Sequence, residues 1–121
     1  MEINPTEIKA QIRYILSQHI GQQNAISRWA LVERIFGREA AADRGNNNPF
    51  DRQIRDIIAE IRVDDLIVSS SNGAGYWLAA SMVEIEIIAD EYEKRSKDML
   101  AKASLLRKRG MEKFGPQMKL L

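Results

Sequence analysis

Three polar side chains stand close together in the segment from Asn48 to Ala79: Arg52, Gln53 and Arg55. Ile54, Ile57, Ile58 and Ile61 recur around them at helical spacing, so the segment has an apolar helix face and the two arginines point away from it. An arginine so placed can contact a phosphate oxygen or bridge O6 and N7 of guanine, and a glutamine can read adenine. Asn46 and Asn47 precede the same helix, where short amides beside free backbone N–H groups suit phosphate. Arg44 in that loop and Arg28, near the start of an earlier helix, join the set. Ser71 and Asn72, in a later turn, add a hydroxyl and an amide for a nucleic-acid backbone. The bland reading of these residues is a solvated face. Asp51 with Arg55 and Arg52 with Asp56 would be i,i+4 ion pairs worth a few tenths of a kcal/mol each, and the asparagines would be plain loop.

Other chemistries find less to work with. His19 is the sole histidine and the chain has no cysteine, which leaves no convincing zinc site. Asp64 and Asp65 follow a helix and mark its turn. Gly73-Ala74-Gly75 sits between two strand-like runs and opens no helix, so it is not a phosphate-cradling loop. No nucleophile elbow or Ser/His/Asp order is present. The expectation is a protein that is not an enzyme and needs neither cofactor nor metal.

The elements that must position these residues are legible in the punctuation. A first helix is expected over about residues 5–19, with Asn4 as cap, Pro5 in its first turn and Gly21 as its stop. Ile8, Ile12, Ile15 and Leu16 make its buried face. Asn24 to Ile26 read as a single edge strand. Ser27 caps a second helix that faces Leu31, Val32, Ile35 and Phe36 inward and stops at Gly37. Residues 38–48, REAAADRGNNN, carry turn chemistry. Asn48 caps a third helix, expected over 49–63, with Pro49 first and Asp51 favourable to the dipole. Leu66 to Ser70 and Tyr76 to Ala79 then form a hairpin around Ser71 to Gly75. Along the second strand, Trp77 is expected in the core and Tyr76 facing out.

This order of helix, short strand, helix, helix, strand, strand resembles the winged helix-turn-helix superfamily over roughly residues 5–80. AISRWALVERIFG, FDRQIRDIIAEIR and LIVSSSNGAGYWLA carry the resemblance, which is to small bacterial or phage regulators without pointing to one subfamily. It implies a mainly α fold with a small β-hairpin, and binding of double-stranded DNA with the third helix in the major groove. The site residues would be Arg28, Arg44, Asn46, Asn47, Arg52, Gln53, Arg55, Ser71 and Asn72. The alternative is a winged-helix module that mediates protein assembly without DNA. Two features favour that alternative. The turn from Ser71 to Gly75 has no Lys or Arg. Residues 1–80 carry nine basic and ten acidic side chains, a net −1, where a DNA-binding domain is ordinarily basic.

The whole chain, 121 residues with net charge +1, has room for one small domain and an appendage. No apolar run reaches the roughly 18 residues of a membrane span, and MEINPTEIKA lacks the regions of a signal peptide, so a cytoplasmic protein is expected. Past residue 80 the character changes. Ser81 and Glu84 read as a capping box, and a helix is expected to about Arg109, with residues 111–121 a loose tail. Ile85, Ile88, Tyr92, Met99, Leu100 and Leu106 are its candidate self-association residues, so a homodimer or higher closed oligomer is expected through residues 81–110.

Overall fold

The computed structural model describes residues 4–69 and 75–118, with side chains to residue 115. It is mainly helical, with one two-stranded antiparallel sheet. The order is α1 (Pro5–Leu16), α2 (Arg28–Phe36), α3 (Pro49–Ile61), β1 (Ile67–Ser69), β2 (Tyr76–Leu78) and α4 (Met82–Met118), with short 3-10 turns at Gln22–Asn24 and Glu39–Ala41. Two compact units divide the chain, Met1–Ile85 and Glu86–Leu121. No helix among the described residues is long and apolar enough to cross a membrane.

The caps fall where the sequence puts them. Asn4 Oδ1 accepts from Glu7 N at 2.9 Å, Ser27 Oγ from Ala30 N at 3.1 Å, and Asn48 Oδ1 from both Phe50 N and Asp51 N. Each bond satisfies a backbone donor that the first helical turn cannot. Gly37 closes α2 with φ 100°, the left-handed region that a residue with a Cβ enters only under strain. α1 ends a turn before the expected residue 19. Gln18 N and His19 N bond three residues back, to Ile15 O and Leu16 O, which tightens the chain away from the α-helical path.

Three helices enclose the core of the first unit. Ile8, Ile12 and Leu16 of α1 meet Leu31, Val32 and Ile35 of α2 and Ile54, Ile57, Ile58 and Ile61 of α3, all buried. The isoleucine spacing of α3 sets one face inward and leaves its charged residues, Asp51 apart, for the rim. Between α3 and β1 the chain turns without glycine: Ile67 N reaches back to Arg62 O at 2.9 Å, and Leu66 takes φ 55°.

β2 is bonded along both edges. Val68 pairs with Trp77 and Ser69 with Tyr76 on the β1 side. On its other edge Tyr76 exchanges two backbone bonds with Ile26, at 2.8 and 2.9 Å, and Leu78 bonds to His19 O and Gly21 N. The expected single strand at Asn24–Ile26 is therefore a one-residue bridge. Alternation places Ile67, Tyr76 and Leu78 against the helical core. Trp77 is buried as expected, but on the opposite face, where its Nε1 donates to Glu84 Oε1 at 2.7 Å. Tyr76 is half-buried against the core where an outward position was expected, because both faces of this hairpin are covered.

Ser81 and Glu84 form half of the expected capping box, because the Glu84 carboxylate is taken by Trp77 Nε1 and Ala80 N. Glu84 N donates to Ser81 Oγ at 3.4 Å and Glu84 Oε2 accepts from Ala80 N, while the Trp77 bond ties the first turn of α4 to β2. α4 then continues past Arg109 to Met118, where the sequence reading expects a loose tail. Gly110 and Gly115 do not take the left-handed conformation of a stop, and an interior glycine lowers helix stability by only about 1 kcal/mol.

Gly75 marks the tightest approach in the sheet. Its φ is 103°, and a Cβ there would overlap the carbonyl of Ile26. Strain and overlap act together, so Gly75→Ala should lower unfolding free energy by about 2–4 kcal/mol in urea titration. Gly45→Ala, where φ is ordinary, provides the comparison and should shift stability by less than about 1 kcal/mol.

Candidate nucleic-acid interface

The site begins at Asn48, which is 2% exposed. Its Oδ1 caps α3, and its Nδ2 donates to Ala40 O and Asp43 O, both at 2.7 Å. One side-chain amide thus fixes the first turn of α3 to the loop that enters it. That loop leaves Arg44, Asn46 and Asn47 exposed beside the helix N-terminus.

Asp51, in the first turn of α3, is 1% exposed. Arg28 of α2 grips its carboxylate with a two-pronged contact, Nε to Oδ1 at 3.2 Å and Nη2 to Oδ2 at 2.8 Å. Arg55 adds Nε to Oδ2 at 3.0 Å. A buried carboxylate without such partners would cost several kcal/mol. Here the fork geometry of Arg28 and the positive end of α3 both favour the anion. Arg28 also lies over Trp29, its guanidinium carbon 4.5 Å from the ring centroid. The Arg28 and Arg55 side chains keep 37% and 45% of their surface, so neither is sealed from solvent.

The other charges of α3 are sorted by edge. At about 100° per residue, Arg52, Arg55 and Arg62 lie within about 80° of one another, next to Asp51. Arg52 is exposed and makes no ion pair among the described residues; the Arg52–Asp56 pair of the bland reading is not formed, and the Asp51–Arg55 pair is. Arg62 Nη2 donates to Ser69 Oγ at 2.7 Å, joining this edge to β1. Gln53 falls on the opposite edge, half-buried near Glu60, so it does not share a surface with the arginines. That second edge meets α1, where Lys9 pairs with Glu60 and Arg13 with Asp65, both at 2.7 Å.

Of the expected site, Arg28, Arg52 and Arg55 come together, Arg44, Asn46 and Asn47 border them at the start of α3, and Gln53 stands apart. Ser71 and Asn72 lie outside the described residues. Arg62 is the residue the sequence reading missed. Its spacing of seven from Arg55 and ten from Arg52 was the available signal. Compared with known protein families, with curated proteins and with solved structures, the chain matches none.

Tyr76 reports on this cluster. Burial pushes its phenol above the ordinary value of 10.0 and Asp51 pushes the same way, while Arg28, Arg55 and Arg62 oppose them. The folded state therefore holds this proton more firmly than the unfolded chain. Its contribution to stability is complete below the unfolded pKa and is lost as pH rises through the folded one. Thermal melts of wild type should fall more steeply above pH 10 than those of Tyr76→Phe; parallel curves would mean that the phenol is not so placed.

Removing the anchor should be more damaging. Asp51→Ala leaves Arg28 and Arg55 facing each other, and a loss of about 2–3 kcal/mol is expected, below the range for fully buried pairs because both arginines reach water. Denaturant titration measures it.

Proposed function

We propose that the chain is a winged-helix protein that binds double-stranded DNA, with α3 entering the major groove. The observation that carries this reading is the edge of α3: Arg52, Arg55 and Arg62 in one stripe, joined by Arg28 from α2, with Asp51, the acid that pairs with two of them, 1% exposed. A local field of this sign attracts phosphate although residues 1–80 sum to −1. Arg52 and the outer nitrogens of Arg55 supply contacts to phosphates or base edges. Asn46 and Asn47 offer amides to the backbone at the N-terminus of the same helix.

A second reading, a winged-helix assembly module without DNA, draws on the near-balanced charge and on the engagement of Arg28 and Arg55 by Asp51. The two readings separate in a salt-dependent gel shift with random duplex. Wild type should bind at low salt. Arg52→Ala with Arg55→Ala should weaken binding and reduce the slope of log affinity against log salt by about 0.9 per lost phosphate contact. Lys9→Ala, on the α1 edge, should leave the slope unchanged. No affinity for duplex at low salt would transfer the function to protein assembly, and a double variant that binds like wild type would remove α3 from the interface.

A further inference from the structure

The second unit leaves an apolar helix face uncovered. Tyr92, Met99 and Leu106 repeat every seven residues along α4 and are 45%, 69% and 72% exposed. Ala89, Ser96, Ala103 and Gly110 repeat at the same interval. At about 100° per residue all seven fall in an arc about 100° wide. The face is a seam with large side chains at one heptad position and small ones at the other.

Charge along the same helix is divided end to end. From Glu86 to Glu93 there are four acids and no base; from Lys102 to Lys113 there are five bases and one acid. A second copy laid antiparallel sets each acidic end against a basic one. A parallel copy would set like against like, which is destabilising.

We propose that this segment pairs antiparallel with the same segment of a second copy of the chain. The register follows from volume. With Ala89 opposite Leu106, Tyr92 falls opposite Ala103 and Ser96 opposite Met99, so every layer holds one small and one large side chain. A parallel pair would place Ala89 on Ala89 and Leu106 on Leu106, alternating void with crowding, and both destabilise. In the antiparallel register Glu86 flanks Arg107. Arg95 flanks Lys102 with like charge, but Arg95 is already held by Glu91 of its own helix at 3.8 Å. The pairing involves no DNA contact and is independent of the function proposed above.

The chain has no cysteine, which makes cross-linking a clean test on the full-length protein. Light scattering at micromolar concentration, without DNA, should give the mass of a dimer. Ala89→Cys and Leu106→Cys chains, mixed and oxidised, should join to each other as a disulfide heterodimer. Each alone should remain unlinked, because in this register the two copies of either position lie about 25 Å apart along the pair. Circular dichroism of both variants confirms that α4 is intact. A monomeric wild-type chain overturns the proposal. Self-linking of Ala89→Cys overturns the antiparallel orientation. A dimer whose mixed variants do not link moves the interface off this seam. Loss of duplex binding in the α3 variants would change none of these readouts.

Discussion

The buried carboxylate of Asp51 is the constraint around which the first unit is arranged. Arg28 and Arg55 carry like charges on two different helices and would repel across the junction of α2 and α3. Asp51 turns that repulsion into a clamp. It is free to do so because Asn48 has taken over the capping of α3: the amide accepts the backbone N–H of Asp51, so the carboxylate need not fold back on its own helix. The clamp also dictates where Arg28 goes. Its side chain must run inward along Trp29 to reach Asp51, which brings an α2 residue to the edge of α3.

Net charge is a poor guide to such a surface because it counts side chains without regard to edge. Asp51 is neutralised within the protein, and Glu60 and Asp65 are matched by Lys9 and Arg13 of α1. What remains toward β1 and the α2 N-terminus is arginine, bordered beyond Arg52 by the exposed Asp56. The balance of residues 1–80 and the basic stripe on α3 are therefore compatible: one is a sum, and the other is the arrangement of its terms by helix geometry.

The parts of this fold that depend on short-range chemistry were legible in the sequence. Asn4, Ser27 and Asn48 announce helix starts because only short polar side chains reach the free N–H groups of a first turn. The isoleucines of α3 announce a buried face, and the apolar pattern announces the hairpin. The missed features depend on who meets whom. Nothing local to Asp51 says that an arginine 23 positions earlier will bury it. Leu66 ends the turn after α3 in the left-handed region with no glycine to announce it. Gly110 and Pro116 look like helix stops, and α4 runs through both. Trp77 was read correctly as buried and assigned to the wrong face, because a second cover for the hairpin, bonded through Glu84, cannot be inferred from alternation alone.

The two bonds between Ile26 and Tyr76 constrain the order in which the chain folds. The partners are separated by roughly 50 positions, and closing a loop of that length opposes pairing by about 3.5 kcal/mol. Two backbone bonds return about 1 kcal/mol each. The bridge therefore cannot form on its own. The β1–β2 hairpin is local and can pair early. The Ile26 edge must wait until α2 and α3 have packed and the ends of that loop are already held together, which makes the third position of the sheet a late event on the route to the native state.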